Sequence, residues 1–196
     1  MIPLSQVIDS FLIVNILSAY RTDATALFGL LSGATATVIA LPVSICYGLA
    51  TASIPAVSSS VTESERENRI KKALVLTLIF TIPCAIALYF LSPFAVRLLF
   101  NGLSAPEKSV VIKLLKLGSP CIVLLSFLQT SNAVLIGKGK LYLPVFTLGV
   151  GIIIKTVLNL ILLKNPQINI YGGQIAVIAC YFTVSLLNLL LVARSK

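Results

Sequence analysis

The sequence contains no histidine. That removes the imidazole general base and the nitrogen-ligated metal centre. Cysteine occurs only as Cys46, Cys84, Cys121 and Cys180, with no C-x-x-C pair. Each lies in a separate apolar segment, so the thiols read as small buried hydrophobes and zinc is not expected. Phosphate-cradling G-x-x-x-x-G-K-[ST], the G-x-S-x-G elbow and H-E-x-x-H are all missing, which leaves no support for an ATPase or a familiar membrane hydrolase. The expectation is a non-enzyme with no cofactor and no metal.

What is present is apolar. Hydrophobic residues make up 58% of the 196, with a mean hydropathy of +1.04, which places the chain in the membrane class. Six runs stand out, at 2–19, 24–50, 73–91, 110–136, 143–163 and 170–192. None alternates as the strands of a β-barrel would. The predicted architecture is therefore all-α, a polytopic helical membrane bundle over 1–196. Met1 leads straight into an apolar segment with no basic n-region and no small-residue cleavage site, so the first span is expected to be retained. The formal charge of +9 comes from basic residues scattered through short connections. Membrane topology and anionic lipid explain that scatter, and nucleic acid does not.

The informative residues are the polar ones inside the spans. Lys155 lies near the middle of 143–163, too deep for its stem to snorkel to the surface, and an α-helix sets Gly151 one turn before it and Asn159 one turn after. Asp9 is the second anchor. It either faces the bundle interior or lies near a membrane surface, because its span is short. The two helices run the same way, and at about 1.5 Å per residue the two side chains differ by roughly 8 Å in depth. That is marginal for a pair, so the facing partner of Lys155 is expected outside this chain and Lys155 on an open surface. Span four adds Ser126 and Gln129 on one face, with Asn132 beyond, after Lys113 and Lys116 at its entrance. Span six carries the stripe Tyr181, Ser185 and Asn188.

Span two is unusually long, its helix expected to reach beyond 50 toward Val61, and it holds Pro42, Pro55 and a G-x-x-x-G at Gly29 and Gly33, read as helix packing. Before it, Asp23 or Thr25 is a candidate cap. The charged run 58–72 reads as a solvated helical connection. Six spans put both termini on one side. That side carries Arg66, Arg69, Lys71, Lys72, Lys138, Lys140, Arg194 and Lys196, and the other Arg21, Arg97, Lys108, Lys113, Lys116 and Lys164. With Lys113 and Lys116 counted inside span four, the bias places both termini in the cytoplasm of a cell-membrane protein.

The ordered set SQVIDSFLI, ATALFGLLSG, YGLATASIPAVSSSV, IPCAIALYFLSPFAVRLLFNG, NAVLIGKGKLYLPV and IIIKTVLNLILLKNPQINIYGGQIAVIACY resembles the stage V sporulation protein B-like branch of the polysaccharide-exporter and lipid II flippase-like proteins, within the multidrug/oligosaccharidyl-lipid/polysaccharide superfamily. The resemblance implies a longer, two-lobed transporter that moves lipid-linked sugars by alternating access. This chain would correspond to part of the second lobe, from the seventh helix to the twelfth, with the first lobe and the final two helices outside it. It further implies that Lys155 and Asn159 face a central cavity. One departure is that related lipid II flippases carry an arginine in the helix matching span two, where ATALFGLLSGATATVIALP has none, so Lys155 becomes the candidate to meet a diphosphate.

The leading expectation is thus a flippase for lipid-linked oligosaccharide or a cell-wall precursor, with Lys155, Asn159, Gln129 and Asn132 binding substrate and Asp9 coupling an ion. Its partners would be the lipid-linked sugar, membrane lipids and a second chain supplying the missing lobe. The alternatives are a cation-coupled multidrug exporter and a non-transporting membrane module or half-subunit, in which Lys155 and Asp9 are structural.

Overall fold

Helix α1 (Ile2–Ser18) enters the bundle and a short polar connection returns the chain through α2 (Ala24–Gly29). A π-helical stretch, Leu30–Thr35, then joins α2 to α3 (Ala36–Ser58) without a turn. Four more long helices and one shorter one follow: α4 (Glu63–Leu99), α5 (Ala105–Gly118), α6 (Pro120–Gly137), α7 (Tyr142–Leu162) and α8 (Tyr171–Arg194). This computed structural model describes residues 2–194. Lys196, counted in the charge bias above, lies outside the described residues. Every regular element among them is helical. Five helical segments are long and apolar enough to cross a membrane, and α1 is a shorter apolar helix.

The ends of these segments differ from the sequence expectation in physically readable ways. The charged run 58–72 is no separate connection, because most of it is the start of α4. Thr62 caps that helix by accepting from the Glu65 amide at 3.2 Å, Glu65 accepts from the Val61 amide at 3.2 Å, and the acids favour a helix N-terminus. Helix α4 therefore runs 37 residues, about 55 Å, well beyond the roughly 30 Å of hydrocarbon. Its charged first turns lie against the end of α3, where Arg69 donates to the Ala56 carbonyl at 2.5 Å and to Ser59 Oγ at 3.1 Å. Span two runs on past 50 as its length predicts and ends at Ser58, with Pro42 and Pro55 inside the helix.

The single span expected at 110–136 is two helices broken at Gly118–Ser119–Pro120. Pro120 cannot donate to the carbonyl four residues back. Ser119 Oγ supplies that bond instead, donating to the Lys116 carbonyl at 3.0 Å. Ser119 keeps helical dihedrals, so the break is a kink rather than a reversal. Gly118 lets neighbouring side chains close in there: a Cβ would come within 2.6 Å of Gln174 Nε2 and 2.8 Å of Ile39 Cδ1, so both side-chain ends would have to shift.

Lipid tails are as apolar as leucine, so helices in a bilayer associate through close approach and interhelical hydrogen bonds. Both are visible. A Cβ on Gly151 would overlap Val184 Cγ2, which lets α7 lie tightly on α8. Gly137 does the same for α6 on α3. Thr77 and Thr130 share a buried hydroxyl bond at 2.8 Å between α4 and α6, and Ser185 donates to the Leu124 carbonyl at 3.0 Å between α8 and α6. The G-x-x-x-G pair takes no part in packing, since Gly29 and Gly33 face open space. Asp23 stands at the cap position of α2 yet makes no cap bond. Its carboxylate accepts from Arg21 at 2.6 and 2.7 Å instead, and the guanidinium holds its pKa below the usual value.

Candidate functional site

Helices α1 and α7 run side by side in the same direction: Asp9 lies near Lys155, and farther along both helices Tyr20 OH donates to the Leu163 carbonyl at 2.8 Å. Between them Lys155 Nζ forms an ion pair with Asp9 Oδ2 and donates to Ser5 Oγ at 2.9 Å. Asn159 Nδ2 donates to the other carboxylate oxygen, Asp9 Oδ1, at 3.3 Å. The lysine and aspartate side chains keep only 12% and 14% of their surface exposed, so this pair is held largely by protein.

The expectation that Lys155 lacks a partner in this chain, and sits on an open surface, is therefore corrected. The depth mismatch of roughly 8 Å was counted between backbone positions. Side chains on an α-helix lean toward its N-terminus. In parallel helices that lean carries the long lysine stem back toward Ser5 and Asp9, the direction in which the mismatch lay.

The pair borders a cavity of about 450 Å³. Its walls come from seven elements, among them Asp9 of α1, Phe28 of α2, Ser32 of the π stretch, Ile39 of α3, Leu125 of α6, Ile152 of α7 and Gln174 of α8. The π stretch matters here. Thr35 Oγ1 donates to the carbonyl five residues back, Leu30, at 2.9 Å. Each π turn inserts an extra residue, which re-aims the helix wall, and Ser32 from this stretch reaches the cavity. Among the described lining residues Lys155 is the only cation and Asp9 the only anion.

The other two predicted binding residues sit elsewhere. Asn132 Oδ1 accepts from Asn188 Nδ2 at 2.8 Å, Asn188 Nδ2 lies 3.3 Å from Ser131 Oγ, and Thr147 Oγ1 donates to Asn188 Oδ1 at 2.8 Å. This is a second buried polar cluster, tying α6, α7 and α8 together. Gln129 is partly buried, with an Oε1 that has no hydrogen-bond partner among the described residues. Neither Gln129 nor Asn132 lines the cavity beside Lys155. Sequence reasoning missed Ser5, Gln174 and Thr147. Ser5 was legible as the residue one turn before Asp9, whereas Gln174 comes from α8, its side chain lying against Gly118 of α5.

Comparison with known proteins gives one informative alignment. Over 174 residues the sequence is 26% identical to stage V sporulation protein B of Bacillus subtilis (strain 168), covering 87% of this chain and 32% of that protein. This chain resembles part of stage V sporulation protein B. It spans about a third of that relative's length. No protein-family profile matches the sequence, and no solved structure matches it. The aligned extent, most of this chain against a minor part of a longer protein, agrees with the partial coverage inferred from the motifs.

Proposed function

We propose that the chain forms part of a membrane transporter of the flippase type, which moves a lipid-linked oligosaccharide or cell-wall precursor by alternating access. The observation that carries this reading is the Asp9–Lys155 pair bordering a 450 Å³ cavity between helices long enough to span a bilayer, with Asn159 bonded to Asp9 from outside the cavity lining. Charged groups at membrane depth are costly and mark pathways. A cation in a low-dielectric cavity attracts a diphosphate head group, while an apolar exterior leaves the lipid tail in the bilayer. The absence of an arginine in α2 and α3 leaves Lys155 to supply that charge. Asp9 then acts as its counter-ion in the empty state, and an arriving anion or a coupling cation would compete for one member of the pair. The test is a flipping assay in a full-length context, with vesicles carrying a fluorescent lipid-linked sugar. Lys155→Met should lower the rate at least about tenfold, as loss of a charge-assisted contact worth 1.4 kcal/mol or more requires. A rate equal to the parent's would remove the core of the proposal.

The ion pair also supports a second reading, in which the pair only holds α1 to α7 in a membrane module. On that reading Lys155→Met loses bundle stability and leaves transport per folded molecule unchanged. In a cation-coupled exporter, by contrast, Asp9→Asn abolishes coupling.

A further inference from the structure

Away from the cavity, the kink between α5 and α6 opens a cleft of about 210 Å³ on the outer surface, lined by Ala85, Ile86, Tyr89 and Phe90 of α4 together with Ser119 and Pro120. Ile86, Tyr89 and Phe90 are 54%, 46% and 72% exposed, so the cleft opens outward. Tyr89 and Phe90 pack edge-on with centroids 5.4 Å apart, and Lys116 Nζ lies 5.7 Å from the Tyr89 ring centroid. Depth follows from the helices. Pro120 begins the apolar length of α6 and Lys116 lies one turn before it, while Tyr89 and Phe90 fall at the end of the apolar run 73–91. Aromatics at that level, with lysine just beyond, mark the boundary between acyl chains and head groups. Charge on this hairpin is one-sided. Between 92 and 120 it carries Arg97, Lys108, Lys113 and Lys116 against Glu107, and Glu107 accepts from the Ser104 amide and hydroxyl at 2.8 and 2.6 Å. Lys113 and Lys116 are exposed and one turn apart.

We propose that this cleft is a binding site for an anionic phospholipid, one acyl chain lying against Tyr89, Phe90 and Pro120 and the phosphate head group held by Lys113 and Lys116. The kink makes the apolar half of the site and the lysines make the polar half. An uncharged apolar dent would accept any lipid, and it is Lys116 over the Tyr89 ring, with Lys113 one turn before it, that selects charge.

The chain contains no tryptophan, so Phe90→Trp installs a single fluorescent reporter in the cleft. In vesicles containing brominated phosphatidylglycerol, quenching should reveal an apparent affinity about fivefold or more above that for brominated phosphatidylcholine, as one lysine near a head group supplies. Lys113→Gln with Lys116→Gln should erase that preference, while Lys71→Gln with Lys72→Gln, on the opposite side of the membrane, should leave it. Native mass spectrometry of the chain without the reporter, taken from mixed nanodiscs, provides the second measurement. It should show retained phosphatidylglycerol that is lost in the Lys113/Lys116 variant. Equal quenching by the two lipids, or a preference that survives in that variant by either method, overturns the proposal.

Discussion

Lys155 and Asp9 are each intolerable alone at their depth and tolerable together, and this sets the expected mutational pattern. Removing one partner of a buried pair leaves an uncompensated charge and typically costs about 3–5 kcal/mol. Asp9→Asn and Lys155→Met should each destabilise the bundle on that scale in detergent unfolding, and combining them should restore most of the loss. Flipping should stay lost in the double variant. Recovery of both stability and transport would make the pair purely structural. Among the site residues, Lys155 and Asp9 are legible in the sequence because charge in an apolar run is conspicuous. Asn159 follows from helical periodicity. Gln129 and Asn132 lie apart from the cavity beside Lys155, and an uncharged amide in a membrane helix is as useful for joining helices as for lining a pathway. Asn132 does the former, through Asn188.

At the scale of the element, glycines separate into those that set helix spacing and those that do not. Gly151→Leu should push α7 off α8 and cost about 1–3 kcal/mol, as overpacking does, whereas Gly33→Leu, facing open space, should stay within about 0.5 kcal/mol. Thermal unfolding of the two variants in one detergent checks the contrast. Helix α5 has its own test. Glu107 bonds to Ser104 at the start of α5, and this holds its pKa below the ordinary 4.5. A depressed carboxylate contributes stability above its unfolded pKa and loses it as pH falls through the folded value. Amide exchange over the first turn of α5, corrected for intrinsic rates, should therefore rise as pH drops below the ordinary glutamate value and through the lowered one. Glu107→Gln should flatten that dependence.

For the whole molecule, apolar helices with alternating direction predict a protein that resists alkaline carbonate extraction. Cys46, Cys121 and Cys180 are buried and Cys84 is half-buried, so the native background for a water-soluble thiol reagent should be low. Cysteines introduced at Glu67 and Lys140 should be labelled from the cytoplasmic side, and those at Asn101 and Asn165 from the other. Lys113 and Lys116 are exposed on α5, before the crossing helix that starts at Pro120, so they count outside the span and the lysine and arginine bias is eight against six. Opposite labelling would invert the orientation drawn from it.

Composition and hydrophobic run length by themselves determined that this is a helical membrane bundle, because a bilayer demands about 20 apolar residues for each helical crossing and permits few backbone geometries. The conspicuous charges were equally open to reading. Tertiary structure alone decided how they combine. Whether Lys155 meets Asp9 depends on the lean of a side chain and on which helices neighbour one another, neither of which is encoded in hydropathy. The kink at Gly118–Pro120 and the π stretch at Leu30–Thr35 shape the two cavities in the same way, through bonds between residues three to five apart and approaches set by distant helices.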